Sequence, residues 1–263
     1  MRDLFIVLAS ALALVTSARQ DVRIRIVLVG DSTVAEESGW GPGLRHQARE
    51  SAEVVNFAAN GRSSKSFIDE GLWTKALAAR GQYYLIQFGH NDEPGKGPER
   101  ETDPKTTYRA FMARYVDESR SIGAKPVLVT SLVRRIFNPD GTIKTTQTAY
   151  VEAVRALAVE KHVPLVDLFA ISLSDAENAG DDVWADLSPR DDKGQVDRTH
   201  LNAKGSDVVG RMVAEALVEV VPDLAPLFRV SPKKLVASVP QHSFADDDLG
   251  VSVRTHQFCG DEC

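Results

Sequence analysis

Cysteine is almost missing from this chain of 263 residues: there are two, Cys259 and Cys263, both among the last five positions. No disulfide framework can therefore hold the body of the protein, and a bridge between them would close so short a loop that it constrains the unfolded chain little. A local disulfide or two free thiols fits the pair. His242 and His256 lie nearby, but their spacing and order match no common zinc finger. Apolar runs long enough to span a bilayer are lacking. Blocks of five or more basic residues that could neutralise phosphates are lacking too, which together with a net charge of −6 argues against nucleic acid as a partner. There is no internal repeat and no low-complexity stretch. What remains, 43% hydrophobic and 26% charged residues, is ordinary globular composition in a chain long enough to build one large core.

The N-terminus departs from the rest. Leu4 to Val15 are apolar except for Ser10, Arg2 precedes them, and Thr16, Ser17 and Ala18 follow. That pattern predicts a secretory leader over residues 1–18, and hence a secreted or periplasmic protein with no membrane attachment once the leader is removed. Asp3, which offsets Arg2, is its one departure from the usual leader. At the other end Pro232, Pro240 and the acidic run at Asp246, Asp247 and Asp248 predict a poorly packed tail over 231–263.

Between these ends, over 19–230, short apolar runs alternate with segments of helical periodicity. Strands are predicted at 24–29, 52–57, 83–88, 125–132 and 162–168. Helices are predicted at 40–50 and 67–79, around Tyr108 to Val116 and Tyr150 to Ala158, and at 203–220. Asn138-Pro139-Asp140-Gly141 marks a turn, and 183–198 is polar and turn-rich. Alternation of this kind gives a parallel sheet with helices on both faces, in one domain.

The first strand runs into Gly30-Asp31-Ser32-Thr33. This is ordinary turn sequence, but a turn there also stands a hydroxyl at the carboxyl edge of the sheet, where open α/β folds place their chemistry. Ser32 is thus a candidate nucleophile. A serine needs a base, and the base needs an orienting group. Asp197 and His200, three residues apart in a loop before the last helix, can supply both from one turn, although such a pair is also common on solvated surfaces. Gly61 follows the second strand and Asn91 the third, so a backbone N–H and a side-chain amide are on hand to hold an oxyanion.

Taken in order, Gly30-Asp31-Ser32, Gly61 within Asn60-Gly61-Arg62-Ser63-Ser64, Gly89-His90-Asn91-Asp92 and Asp197-Arg198-Thr199-His200 resemble the SGNH (GDSL-type) hydrolases over about residues 25–216. Phe88-Gly89-His90-Asn91-Asp92 and Gly61-Arg62-Ser63 are most similar to the rhamnogalacturonan acetylesterase branch. The resemblance implies a three-layer α/β/α, flavodoxin-like fold with a five-stranded parallel sheet. It implies Ser32 as nucleophile, His200 as base and then acid, and Asp197 as its orienting carboxylate. It also implies an oxyanion hole made by the Ser32 and Gly61 N–H groups and the Asn91 side chain, with no metal and no cofactor. Thr33 stands where many relatives carry leucine, and the tail has no counterpart. The absence of Gly-x-Ser-x-Gly separates the chain from the α/β-hydrolases. The expected substrate is acetylated plant cell-wall polysaccharide, most of all pectic. A lipase or thioesterase for longer acyl esters and a non-catalytic carbohydrate-binding relative are the alternatives. Arg62, Lys65, Arg134, Arg135 and Arg198 fall in loops near the same edge, as solvated surface or as partners for uronate groups. Nothing in the sequence sets an oligomeric state.

Overall fold

The computed structural model describes residues 23–231; the leader at 1–18 and the tail beyond 231, with both cysteines, lie outside the described residues. Strands β1 (Ile24–Gly30), β2 (Ala52–Asn56), β3 (Tyr83–Gln87), β4 (Lys125–Val129) and β5 (Leu165–Val166) form one all-parallel sheet in the order β2-β1-β3-β4-β5. Ile26 lies opposite Val54 on one side and Tyr83 on the other. Because side chains alternate across a strand, Ile26, Leu28, Leu85, Val127 and Val129 enter one core, while Val27, Val29, Tyr84, Ile86 and Leu128 enter a second. Two buried faces explain why the strands read as continuous apolar runs rather than alternating ones.

The helices between and after the strands are α1 (Gly41–Gln47), α2 (Ser66–Asp69), α3 (Leu72–Ala78), α4 (Thr107–Ser121), α5 (Thr148–Lys161), α6 (Leu168–Ala179), α7 (Asp181–Asp186) and α8 (Ala203–Val220), with a 3-10 turn at Pro222–Leu227. Leu44 of α1, Phe169 of α6, Trp184 of α7 and Val209, Val213 and Leu217 of α8 pack into the first core. Phe67 of α2, Trp73 of α3, Met112 and Tyr115 of α4 and Val154 and Leu157 of α5 fill the second. The result is the three-layer α/β/α arrangement that the alternation of strand and helix predicts.

α1 and α8 touch backbone to backbone. A Cβ added to Gly43 would lie 1.9 Å from the Ser206 carbonyl oxygen, and one on Gly210 would lie 2.3 Å from the Gly43 carbonyl carbon. Only glycine permits that approach. It fixes α8, whose first turn is capped by the Asn202 side chain accepting from the Gly205 N–H at 2.9 Å.

Several predicted boundaries shift. The helix expected over 67–79 is two helices, broken where Gly71 takes φ +74°. The strand expected over 162–168 shrinks to two residues, since Pro164 has no N–H to give and the Asp167 side chain instead caps α6. The fourth strand stops at Val129 rather than at 132. The stretch read as polar and turn-rich contains α7, which Trp184 ties to the core. The turn at 138–141 is present, flanked by an antiparallel bridge between Phe137 and Ile143. Among the described residues no helix is long and apolar enough to cross a membrane.

Candidate active site

β1 and β3 are neighbours, but the chain leaves β1 toward β2 and leaves β3 toward β4, so the crevice at their carboxyl ends is the topological switch point of the sheet. Gly30, the last residue of β1, pairs with Gln87 of β3 there. The chain then turns tightly, with the Val34 and Ala35 N–H groups both donating to the Asp31 carbonyl at 3.1 Å. Asp31 is fully buried, and its Oδ1 accepts from the Thr33 N–H at 2.9 Å and the Thr33 hydroxyl at 2.7 Å. Gln87 Nε2 donates to Thr33 Oγ1 at 2.6 Å, and Trp40 Nε1 donates to Gln87 Oε1 at 2.9 Å. Thr33 is therefore the joint between the turn and β3, a role that leucine could not fill.

Ser32 sits at the tip of this turn. Its Oγ is 2.8 Å from His200 Nε2, and His200 Nδ1 is 2.7 Å from Asp197 Oδ2. The other Asp197 oxygen accepts from the Thr199 N–H at 2.7 Å and the His200 N–H at 3.0 Å. Partial burial pushes the Asp197 carboxyl up, but the bonds from the His200 ring and from the two N–H groups outweigh it and hold the group below its ordinary value. An ionised Asp197 can only accept, so it holds the imidazole with its proton on Nδ1 and leaves the Nε2 lone pair facing the Ser32 hydroxyl.

A profile of the GDSL-like lipase/acylhydrolase family matches residues 28–208. The chain belongs to that family. It is a carboxylic ester hydrolase. The rhamnogalacturonan acetylesterase RhgT of Bacillus subtilis is 37% identical to it over 215 residues, covering 75% of this chain and 90% of the relative. A rhamnogalacturonan acetylesterase of Emericella nidulans is 32% identical over 216 residues, covering 73% and 84%. Among solved structures, the Bacillus subtilis protein YxiM superposes with a TM-score of 0.65 at 25% identity, over 75% of this chain but 56% of the other.

In this GDSL-type hydrolase the groups suited to an oxyanion gather around the same turn. Among the described residues neither the Ser32 nor the Gly61 N–H has a hydrogen-bond acceptor. Asn91 Nδ2 gives one hydrogen to the Arg62 carbonyl at 3.1 Å, which leaves its second free. The Gly61 turn is held against the Ser32 turn by the Ala59 N–H on the Gly30 carbonyl at 3.0 Å and by Ser38 Oγ, which lies 2.8 Å from the Ser32 carbonyl oxygen and 3.4 Å from Asn60 Oδ1. Asp92 anchors the Asn91 loop, accepting from Ser64 Oγ at 2.5 Å and Thr102 Oγ1 at 2.9 Å. Burial pushes the Asp92 carboxyl up to about 7 despite these donors.

A cleft of about 480 Å³ opens over Ser32, Asn91 and His200, and Glu93, Lys96 and Arg134 also line it. Gly61 is not among its lining residues. Arg134 is ion-paired to Glu93 and donates to the His90 carbonyl at 3.1 Å. Lys96 has no ion pair among the described residues. His90 also lines the cleft and is 2% exposed, its Nδ1 3.5 Å from Asp31 Oδ2. Burial pushes the Asp31 carboxyl up, yet His90 and Thr33 together hold it below its ordinary value. No three His, Cys, Asp or Glu side chains among the described residues converge as a metal site.

The five loop cations expected near this edge separate. Arg62 pairs with Glu70, Lys65 donates to the Pro98 carbonyl at 2.7 Å, and Arg198 pairs with Asp181. Of the five, only Arg134 lines the cleft. Arg135 contradicts the expectation outright, because its side chain is neither solvated nor open to a uronate but 0% exposed. The segment after β4 turns it inward beneath the loop that carries Asp197 and His200.

Proposed function

We propose that this hydrolase is a carbohydrate acetylesterase, that its substrate is acetylated plant cell-wall polysaccharide, rhamnogalacturonan above others, and that it is secreted or periplasmic once the leader over 1–18 is removed. The observation that carries the reading is the unbroken run of hydrogen bonds from Ser32 Oγ through His200 to Asp197, at 2.8 Å and 2.7 Å, at the edge of a polar cleft. Two relatives named as rhamnogalacturonan acetylesterases support the choice of substrate.

In this reading Ser32 Oγ attacks the acetyl carbonyl carbon as its proton passes to His200 Nε2. The oxygen that becomes negative is met by the Ser32 and Gly61 N–H groups and the free Asn91 hydrogen. Each such donor contributes about 3 to 4 kcal/mol of transition-state stabilisation. The imidazolium, stabilised by Asp197, then returns the proton to the sugar oxygen, which leaves and takes the polysaccharide with it. Water repeats the two steps on the acetyl-serine: His200 removes a proton from it, acetate departs, and Ser32 regains its hydrogen. Neither a metal nor a cofactor enters the scheme.

The cleft supports this choice of substrate. A long acyl chain needs apolar walls, whereas Glu93, Lys96 and Arg134 line this one. An acetyl group buries little surface and needs no such walls, and the Lys96 ammonium, which has no ion pair among the described residues, suits the carboxylate of a uronate residue. The test is acetate release from acetylated rhamnogalacturonan, with p-nitrophenyl acetate and longer p-nitrophenyl esters assayed beside it. Preference for acetate and release from the polymer support the reading. Preference for long acyl chains moves the enzyme to the lipases, and glycan binding without any ester turnover removes it from catalysis.

A further inference from the structure

Arg135 is the largest charged side chain that the fold buries completely. Buried guanidinium groups are ordinarily matched by a carboxylate, because an uncompensated charge in the interior costs several kcal/mol. Among the described residues Arg135 has no ion pair, and the Asp197 carboxylate favours its charge only from a longer distance. Its Nη1 donates to the Thr199 carbonyl at 2.9 Å, and its Nη2 donates to the His200 carbonyl at 2.5 Å, the Asp197 carbonyl at 3.3 Å and Ser188 Oγ at 3.0 Å. Its own backbone N–H donates to the Arg198 carbonyl at 2.9 Å. Every carbonyl from Asp197 to His200 thus accepts from this one residue. The guanidinium carbon lies 5.5 Å from the centre of the Trp184 ring, which closes the pocket on one side. Nε has no partner.

A segment that turns three carbonyls onto one cation and the fourth onto the backbone N–H of the same residue points the opposite groups of its backbone and side chains elsewhere. The Thr199 and His200 N–H groups accordingly meet Asp197 Oδ1, and the imidazole meets Ser32. We infer that Arg135 is a positioning residue for the reaction: its guanidinium replaces a hydrophobic core beneath the 197–200 loop and sets the angle at which His200 reaches Ser32. The inference rests on the proposed roles of Ser32 and His200. Arg135 touches no substrate, so it acts on kcat through the loop and leaves KM to the cleft. A misplacement of the imidazole by about 1 Å is enough to cost on the order of 100-fold in rate.

The experiment measures kcat, KM and thermal midpoint with p-nitrophenyl acetate for the wild type, Arg135→Lys, Arg135→Met, Arg135→Ala and Ser32→Ala. Expected is a fall in kcat of about 100-fold for Arg135→Met, a smaller fall for Arg135→Lys, which keeps a cation and some of the donors, and KM within about threefold throughout. Guanidinium ion at tens of millimolar should raise kcat of Arg135→Ala and leave the wild type unchanged. If Arg135→Met does not fold, the lysine variant and the rescue carry the test. A folded methionine variant with kcat near wild type overturns the inference. So does a loss of activity that only follows the folded fraction, with lysine no better than methionine and no rescue. Turnover surviving in Ser32→Ala overturns the reading of the site, and this inference with it. An inert Ser32→Ala beside a fully active Arg135→Met overturns this inference alone.

Discussion

Replacing Asp197 by asparagine should do more harm than the loss of one charge suggests. Asp197 Oδ1 accepts two backbone N–H groups, from Thr199 and His200, while Oδ2 meets His200 Nδ1. An asparagine in this loop must place its carbonyl oxygen where the two N–H groups point, which turns its NH₂ toward Nδ1. The imidazole can then only accept at Nδ1, so its proton moves to Nε2 and faces Ser32. A ring in that tautomer cannot take the serine proton. The expected fall in kcat is on the order of 10⁴-fold, about 5.5 kcal/mol of barrier. KM should change little, because Asp197 is not among the residues that line the cleft. Stability should change by no more than about 1 kcal/mol, since both backbone bonds survive and the pair is about one-third exposed, so solvent screens the lost charge. Steady-state hydrolysis of p-nitrophenyl acetate with urea unfolding of the same preparations measures both. An asparagine variant that is folded and keeps a tenth or more of wild-type kcat refutes the tautomer argument.

Two further outcomes follow from the neighbouring loops. Asn91→Ala removes one oxyanion donor and should lower kcat with p-nitrophenyl acetate by about 100- to 1,000-fold while leaving KM nearly unchanged; an effect confined to KM would make Asn91 a substrate-binding group instead. Asp92 has a folded-state pKa of about 7 against an ordinary 3.8, so the folded protein holds its proton more tightly than the unfolded chain. Its contribution to stability is fully present below about pH 4 and is lost as pH rises through 7, by about 2 to 3 kcal/mol between pH 5 and 8. Asp92→Asn, which cannot ionise, should therefore gain on the wild type in urea unfolding as pH rises, and a difference between the two that is flat from pH 5 to 8 contradicts the assignment.

Much of the fold could be read in advance because its signals are local. Continuous apolar runs such as Val27-Leu28-Val29 mark strands buried on both faces, and the face of α8 repeats Val209, Val213 and Leu217 at helical spacing. The site was legible for a related reason: Gly30-Asp31-Ser32, Gly89-His90-Asn91 and the Asp197–His200 pair are short segments placed directly after strands or before a helix. What escaped depends on distant partners. α6 carries a weak version of the same periodicity, burying Leu168, Ser172 and Ala176, but one of those positions is polar. Thr33 reads as a neutral change until Gln87 and Asp31 are seen to meet at its hydroxyl. Arg135 has no local signal at all. Next to Arg134 it looks like another surface cation, and only the return of the chain at 197–200, more than sixty residues later, supplies the carbonyls that bury it.

The proposed mechanism passes an acetyl group through Ser32. Rapid acid quenching of the enzyme during turnover of p-nitrophenyl acetate, followed by proteolysis and mass spectrometry, tests it directly. Expected is an acetylated peptide with the acetyl group on Ser32 in the wild type, and neither that peptide nor turnover in a folded Ser32→Ala variant. Turnover that persists in Ser32→Ala, or an acetyl group on a different residue that forms and decays at the catalytic rate, would contradict it.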